Sequence, residues 1–257
     1  MKIYDCFMFY NEVDLLEIRL NELNDVVDYF VIVEGERTHQ NKPKEMLFQK
    51  NIHKYEKFLP KIIHVIVDAD KFRPNDPMYN DVMQRNHITY GLENATDDDL
   101  IIISDLDEIP SSDAVKIALK ENKFPVLFNQ ILHYYYLNTQ AEDRGSTLSQ
   151  SSCMLRKNTF LSNTQITRHN KHQFHGIENG GWHFSFLGNK NHVLNKLQNY
   201  AHDDWKDESL NAVENRLEHL IDPLNRNYIK LKCIADLSYL PKYVLNNMDK
   251  FKKYIKD

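Results

Sequence analysis

The chain has 257 residues, of which 42% are hydrophobic and 27% are charged, with 7 Gly and 8 Pro. This length and composition are typical of a globular protein that buries a full core, and they exclude collagenous and disordered proteins. The formal net charge of −5 argues against a protein that works by neutralising phosphate backbones, so we expect no nucleic-acid partner.

Cysteine usage and apolar patterning predict the compartment. The three cysteines, Cys6, Cys153 and Cys233, lack paired spacing, which predicts neither a disulfide framework nor a cysteine zinc site. The first residues lack the pattern of a signal peptide, and no stretch approaches the roughly 20 apolar residues that a membrane span needs. We therefore expect a cytoplasmic protein without a membrane span.

Short apolar runs alternate with helical periodicity in residues 1–125, which predicts an α/β fold with a mixed, mostly parallel central sheet. The first helix is indicated by apolar residues spaced three and four apart over 13–27, with Arg19 off that stripe. A further helix is predicted over 82–92. Four apolar runs are predicted to be strands, at 3–10, 30–33, 62–67 and 100–103.

Residues 126–257 change character. Helical periodicity returns only after about Glu208, and no repeat or low-complexity linker separates the two halves. We therefore predict one domain over 1–257, in which 1–125 form a nucleotide-binding half and 126–257 form an acceptor-shaping half with C-terminal helices. Strands rich in aromatic residues are predicted within 126–137, 151–167 and 181–188.

Polar residues directly after predicted strands are the first candidates for a site, because ligands of open α/β sheets bind beyond the carboxyl ends of the strands. Such positions are occupied by Glu34, Asp68, and the pair Asp105 and Asp107. Two carboxylates two residues apart can converge on one Mg²⁺ or Mn²⁺, which could neutralise the departing diphosphate of a nucleotide sugar. The alternative is that these acids cap the next helix, but Ser111 is a sufficient cap for it.

A series of short segments carries a resemblance that spans nearly the whole chain. Two of them read IISDLDEIP (102–110) and GWHFS (181–185). In their shared order, the segments resemble glycosyltransferase family 17. The others are 3–7, 11–12, 14–23, 25–34, 42–44, 85–86 and 241–243.

The resemblance implies a Rossmann-like fold of GT-A type, a nucleotide-sugar donor and inversion at the anomeric carbon. It implies that Asp105 and Asp107 are the Asp-x-Asp metal motif of the family. It also implies that Glu34 faces the nucleoside, and that Arg85 and Asn86 orient the diphosphate or support the metal loop. The alternatives are that Glu34 caps a turn and that Arg85 makes a surface salt bridge.

The segment around Gly181 is expected to contact the acceptor and the metal. Gly181 permits close backbone approach, and the Trp182 indole offers a flat face for a sugar ring. His183 lies where many GT-A enzymes have a further metal ligand, and a neutral imidazole suits Mn²⁺ better than Mg²⁺. The alternative for His183 is a core histidine that is hydrogen-bonded to the backbone.

Inverting transfer needs a base that deprotonates the acceptor hydroxyl. We predict Asp204 as that base, with Asp203 and Glu178 as rivals. Trp205 follows directly and is a second candidate for contact with the acceptor. The alternative is that the paired acids cap the helix that follows them.

Two charged segments have no assigned chemistry. The segment with His169, His172 and His175 is predicted to be a polar loop that closes over the donor, with a structural zinc site as the alternative. Residues 242–257 have five lysines and two aspartates, a net charge of +3, and an apolar stripe on the other side. We expect this segment to dock on the domain; weak attraction to an acidic membrane surface is the alternative.

The sequence and the resemblance together predict a metal-dependent inverting glycosyltransferase that uses Mn²⁺ or Mg²⁺. The resemblance implies transfer of N-acetylglucosamine from a UDP-sugar donor to a glycan hydroxyl. A metal-dependent nucleotidyl- or phosphotransferase could use the same Asp105 and Asp107, although we find no Gly-rich phosphate loop. A non-catalytic glycan-binding protein could use Trp182 and Trp205 as platforms.

Overall fold

The computed structural model describes residues 1–160, 163–199, 201, 205 and 207–257. In these residues, eleven strands belong to one sheet. The strands are β1 (Ile3–Phe9), β2 (Tyr29–Gly35), β3 (Ile62–Val67), β4 (Leu100–Ile103), β5 (Glu108–Pro110), β6 (Val126–Tyr134), β7 (Thr139–Asp143), β8 (Leu148–Arg156), β9 (His175–Ile177), β10 (Gly181–Ser185) and β11 (Ile229–Cys233). The described helices are α1 (Val13–Leu23), α2 (Leu47–Lys50), α3 (Pro77–Asn86), α4 (Ser112–Glu121), α5 (Thr164–Asn170), α6 (Lys190–Asn199), α7 (Leu210–Glu218), α8 (Lys242–Asn246) and α9 (Met248–Phe251).

The four N-terminal strands form a parallel core in the order β3-β2-β1-β4. β8 pairs antiparallel with both β4 and β6, and β10 joins β6 in parallel. Among the described strands, β5, β7 and β8 run opposite to the rest. The predicted α/β fold with a mixed, mostly parallel sheet is thereby confirmed: a Rossmann-like parallel half is continued by a mixed half, and one sheet passes through residues 1–125 and 126–257.

β1 shows why the parallel strands are continuous apolar runs. Successive side chains of a strand point to opposite faces of the sheet. Phe7 and Phe9 pack in the core that contains the α1 stripe, whereas Tyr4 and Cys6 pack in a second core with Ile88. Burial on both faces removes the polar alternation of a half-exposed strand. The parallel pairing of β1 with β4 places the carboxyl ends of the two strands at the same edge of the sheet.

The prediction that helices return only after about Glu208 is wrong, because α5 and α6 lie earlier in the chain. The segment predicted as a polar loop contains the end of α5 and, at His175, the start of β9. The buried residues of α5 are Thr164 and Thr167, and α6 buries two apolar residues. So few buried positions leave no apolar stripe that periodicity could detect.

The C-terminal segment docks on the domain as predicted. Val244 and Phe251 are fully buried, and Lys253 Nζ lies 2.6 Å from the Asp14 carboxylate on α1. Within the described residues, no helix has the length and apolar character needed to cross a bilayer. Attraction of the C-terminal lysines to a membrane and a cytoplasmic location stay predictions.

Candidate active site

The segment between β4 and β5 forms a tight turn that carries both carboxylates of the Asp-x-Asp pair. The Asp105 N–H donates to Glu108 Oε2 (2.8 Å), and the Glu108 N–H donates to the Asp105 carbonyl (3.1 Å). The Phe184 N–H donates to the Asp107 carbonyl (2.8 Å), which ties the turn to β10. The backbone of the turn is therefore held both internally and by a neighbouring strand.

Arg19 on α1 holds the same turn through a third set of hydrogen bonds. Its side chain is fully buried, and Nε and Nη2 donate to the Asp5 carboxylate on β1 at 2.8 and 2.6 Å. Nη1 donates to the carbonyl oxygens of Asp105 (2.8 Å) and Glu108 (3.0 Å). Arg19 is buried although it does not belong to the predicted apolar stripe, because a guanidinium can be buried where its N–H groups find acceptors.

Two further arginines contact the Asp105 carboxylate. Arg85 on α3 donates to Asp105 Oδ1 through Nη1 and to Asp81 through Nη2 (2.9 Å). Arg168 Nη1 on α5 lies 3.1 Å from the same Asp105 oxygen and 3.9 Å from Glu108 Oε2. Burial alone would raise the pKa of Asp105, but Arg168 and Arg85 outweigh it and hold that pKa well below its usual range. Asp105 is therefore ionised at neutral pH.

Asp107 faces a lysine and a histidine. Lys196 Nζ on α6 donates to Asp107 Oδ2 (2.7 Å) and lies 3.8 Å from Glu12 Oε1. His183 Nε2 on β10 lies 3.9 Å from Asp107 Oδ1, and its Nδ1 lies 3.1 Å from Ser149 Oγ. Burial alone would lower the pKa of Lys196, but Asp107 and Glu12 outweigh it and raise that pKa, so the ammonium stays charged.

One cleft of about 660 Å³ is lined by the two carboxylates, Asp105 and Asp107, and by the cations and the histidine that face them. It lies beyond the carboxyl ends of the parallel strands, where open α/β sheets bind ligands. Arg37 in this lining donates to the Asn41 carbonyl (3.0 Å) and makes no ion pair within the described residues. A lining with both signs of charge can bind an anion and a cation together. Its charged residues are Arg37, Lys44, Arg85, Arg168, Lys196, Arg226, Glu12, Asp81, Asp105, Asp107 and Glu108.

The chemistry of the donor atoms beside Asp107 fits a divalent cation. Asp107 Oδ1 faces His183 Nε2, and because Nδ1 is engaged by Ser149, Nε2 is the ring nitrogen left for a ligand. One carboxylate and one neutral imidazole suit Mn²⁺. Across the described part of the chain, no group of three metal-ligating side chains is close enough to hold an ion. The part of Asp105 in a metal site stays a prediction, since this carboxylate is bound by arginines.

Glu34, Arg85 and Asn86 were singled out by the resemblance, and each is well fixed. Arg85 is only 4% exposed, so the alternative of a surface salt bridge is wrong. The buried Glu34 carboxylate accepts from the Leu47 N–H at the start of α2 (2.7 Å) and pairs with Lys44, which lines the cleft (3.1 Å). Asn86 accepts from the N–H of the first residue of α5 (3.1 Å). Neither Glu34 nor Asn86 lines the cleft itself, and their donor-binding roles stay predictions.

The Gly181 segment serves contact between strands. Gly181 has a φ of +123°, and a Cβ there would lie 2.2 Å from the Ile109 carbonyl oxygen, so the approach of β10 to β5 requires glycine. Trp182 points to the sheet face opposite His183. Its Nε1 donates to the Tyr239 carbonyl (2.9 Å) and the residue is 8% exposed. The indole is thus a core side chain, which corrects the expectation of a sugar platform in the cleft.

Two further residues predicted for the acceptor half, Glu178 and Trp205, also lie away from the described cleft lining. Glu178 is exposed and its Oε1 accepts from an asparagine amide (2.8 Å). Trp205 packs against the core formed with α6 and α7, with the Arg216 guanidinium 5.2 Å from its ring centre. Asp204 and its rival Asp203 lie outside the described residues, so the identity of the base stays a prediction.

Sequence patterns missed several cations of the site, among them Arg19, Arg168 and Lys196. Arg19 is 86 positions from Asp105, and Lys196 is 89 positions from Asp107. Periodicity reports the faces of a helix, but it cannot report which distant carboxylate a charged residue meets. Arg19 lies within the segment 14–23 that carries the family resemblance, and this was the one available signal.

A Rossmann-like sheet with a charged cleft beyond its parallel strands is typical of enzymes that bind phosphorylated ligands. The comparison with protein families defines the class further. Residues 1–256 match the model of glycosyltransferase family 17, and the chain therefore belongs to that family.

Several mammalian proteins are similar to the chain, and all are β-1,4-mannosyl-glycoprotein 4-β-N-acetylglucosaminyltransferases. The protein of Rattus norvegicus is 26% identical over 287 residues, which cover 94% of this chain and 52% of the relative. The protein of Mus musculus matches with the same identity and coverage. The protein of Homo sapiens is 35% identical over 114 residues, 41% of this chain and 21% of the relative. The chain thus spans about half the length of the rat and mouse relatives.

Among solved structures, a crystal structure of 4-diphosphocytidyl-2C-methyl-D-erythritol synthase is similar to the chain with a TM-score of 0.41. The sequence identity is 14%. The match covers 74% of this chain and 94% of that structure.

Proposed function

We propose that the chain transfers a sugar from a UDP-sugar donor to a glycan hydroxyl, with inversion and with the help of a divalent cation. N-acetylglucosamine is the proposed sugar, because the names of the relatives specify its transfer. The observation that carries the proposal is the turn 105–108, whose carboxylates share one cleft with six Lys and Arg side chains. Family membership supports the reaction class.

Arg85 and Arg168 are the proposed partners of the donor diphosphate. A planar guanidinium binds phosphate oxygens in a forked geometry, and contacts with Asp105 already orient both groups toward one point. Arg37 supports the same role, because it has no carboxylate partner in the described part of the chain. Asn86 would act through α5, whose start it fixes, and so would position Arg168.

Asp107 and His183, together with Asp105, are the proposed ligands of Mn²⁺ or Mg²⁺. When bound, the ion would draw negative charge from the departing diphosphate. The arginines on Asp105 make Asp107 the principal carboxylate ligand in this proposal. His183 favours Mn²⁺ over Mg²⁺, since imidazole is a softer ligand than oxygen.

The proposed transfer forms a bond from the acceptor oxygen to the anomeric carbon as the bond from that carbon to the diphosphate breaks. UDP leaves, and the acceptor proton passes to a base. Asp204 remains the predicted base, with Asp203 and Glu178 as rivals. The exposed position of Glu178 outside the cleft lining argues against Glu178.

Incubating the protein with a panel of UDP- and GDP-sugars, with Mn²⁺, Mg²⁺ or a chelator, tests the proposal without knowledge of the acceptor. We expect slow release of UDP and free N-acetylglucosamine from UDP-N-acetylglucosamine, and only with metal. Release of a nucleoside monophosphate or of pyrophosphate would instead indicate a phospho- or nucleotidyltransferase. Absence of any nucleotide binding in calorimetry would contradict the proposal and leave the glycan-binding alternative.

A further inference from the structure

The contact of Lys196 with Asp107 is built into the fold. The Lys196 side chain is 20% exposed and Asp107 is 8% exposed, with Nζ 2.7 Å from Oδ2. α6 delivers this ammonium from a fixed position, since Val193 and Leu197 are buried in the core. The side chain of Asn195 also accepts from the Tyr10 hydroxyl at the end of β1 (2.8 Å). The ion pair is therefore part of the cleft floor.

The Lys196 ammonium lies close enough to Asp107 to repel a divalent cation bound to that carboxylate. Lys196 binds one oxygen of the Asp107 carboxylate, Oδ2. The other oxygen, Oδ1, lies 3.9 Å from His183 Nε2. A divalent ion held by that carboxylate would sit beside a lysine of like charge in a partly buried site, where repulsion is only weakly screened. Metal binding is therefore weakened while Lys196 stays in place, and it is favoured when this side chain turns away. Glu12 Oε1, 3.8 Å from Nζ, is a second acceptor within reach.

We propose that Lys196 is an internal counter-cation of Asp107 that keeps the affinity for a free divalent cation low until a nucleoside diphosphate arrives. The inference rests on the proposed function. The entering diphosphate offers Lys196 a new anionic partner, and Asp107 becomes available to the metal. Metal and nucleotide then bind together, and each raises the affinity for the other by the same factor.

Manganese binding in the absence of nucleotide tests this role directly. Electron paramagnetic resonance of free Mn²⁺ gives its dissociation constant with and without UDP. We expect Lys196→Met to bind Mn²⁺ about tenfold more tightly than the wild type without UDP, within the usual range of coupled sites. With UDP present the gain should be smaller, so that the coupling between UDP and Mn²⁺ shrinks. Lys196→Gln removes the same charge but keeps a hydrogen-bond donor, and should behave alike.

Lys190→Met is the matched control, because Lys190 lies on the same helix and pairs with Glu214 (2.5 Å) outside the cleft. It should bind Mn²⁺ as the wild type does. Unchanged or weaker Mn²⁺ binding in a folded Lys196→Met or Lys196→Gln protein would overturn the inference, as would a lack of Mn²⁺ binding by all variants. If Lys196→Met binds Mn²⁺ more tightly but UDP never changes Mn²⁺ affinity, Lys196 competes for Asp107 but its release by a nucleoside diphosphate is overturned. Failure of the proposed function is distinguished by the donor panel, in which no UDP-sugar would then be bound or cleaved.

Discussion

At the scale of single residues, the carboxylates that line the cleft are held in ion pairs. Asp105 is bound by Arg85 and Arg168, and Asp107 is bound by Lys196. Each carboxylate therefore has a cation beside it, which is the usual condition for burying charge. A phosphorylated ligand must exchange these contacts for its own, so each cation should affect ligand affinity as well as local structure.

Replacing Arg168 with methionine should weaken UDP binding by about tenfold or more, since a hydrogen bond to a charged group contributes about 1.5–3 kcal/mol. Calorimetric titration with UDP and Mn²⁺ measures the change. Arg144→Met is the control, because the Arg144 side chain is 76% exposed and lies outside the cleft. If Arg168→Met and the wild type bind UDP equally, Arg168 has no part in holding the diphosphate.

The lowered pKa of Glu34 should make the stability of the fold depend on pH. Burial alone would raise its pKa, but a hydrogen bond from His64 and the charge of Lys44 bring it below the ordinary 4.5. A carboxylate whose pKa is lowered by folding stabilises the fold above its unfolded pKa and loses that contribution as pH falls through the folded pKa. Urea unfolding should show Glu34→Gln less stable than the wild type at neutral pH, with the gap narrowing below pH of about 4.5. If the difference in unfolding free energy between Glu34→Gln and the wild type does not change with pH, the lower stability of the variant comes from altered packing and not from the charge.

At the scale of elements, the site depends on where α1, β4 and β10 meet. α1 supplies Arg19 to the carbonyl groups of the turn after β4. β10 supplies His183 to the cleft and the Phe184 N–H to the turn. Substitutions that move α1 or β10 should therefore shift the Asp105 and Asp107 carboxylates, even when the substituted residues do not contact them.

Gly181→Ala should destabilise the fold more than Gly145→Ala. Both glycines have positive φ, +123° and +90°, so each substitution carries backbone strain of about 1–3 kcal/mol. At Gly145 the added methyl group meets nothing within 4 Å, whereas at Gly181 it would lie 2.2 Å from the Ile109 carbonyl oxygen. Urea unfolding of the two variants separates strain from collision. Equal losses would show that β10 can move away from β5 at little cost.

Arg19→Lys should weaken binding of UDP and Mn²⁺ more than it weakens the fold. A lysine can still neutralise Asp5, but its single ammonium cannot also serve the Asp105 and Glu108 carbonyl groups. Arg19→Met leaves Asp5 buried and unpaired, and should cost about 3–5 kcal/mol of unfolding free energy. Calorimetry and urea unfolding on both variants measure the two effects. Full UDP affinity in Arg19→Lys would exclude a role of Arg19 in positioning the turn.

At the scale of the whole molecule, the parallel half of the sheet could be predicted and much of the cleft could not. β3 and β4 coincide with the predicted runs 62–67 and 100–103. β4 is buried throughout, and strands that are buried on both faces are uninterrupted apolar segments. Asp105 and Asp107 were found for the same reason, since they follow such a strand. α5 and α6 lack an apolar stripe, and the partners of their charged residues are set by tertiary contacts that no local pattern contains.

Trp182 shows that a residue can lie in a recognised motif while its orientation stays unpredicted. Its neighbour His183 lines the cleft, and the alternation of a strand then requires the indole to face the core. The motif was recognised, but the face of each residue in it depends on which side of β10 the cleft lies. That side is decided by the pairing of β10 with β5 and β6, which the sequence does not reveal.

The central claim is that the turn after β4 binds a nucleotide sugar through a metal on Asp107. Calorimetry of UDP-N-acetylglucosamine binding, with and without Mn²⁺, tests it in the wild type, in Asp107→Asn and in the control Asp98→Asn, an exposed acid outside the cleft. We predict Mn²⁺-dependent binding in the wild type and in Asp98→Asn, and its loss in a folded Asp107→Asn protein. Binding that is equally strong in Asp107→Asn, or that needs no metal in the wild type, would contradict the account.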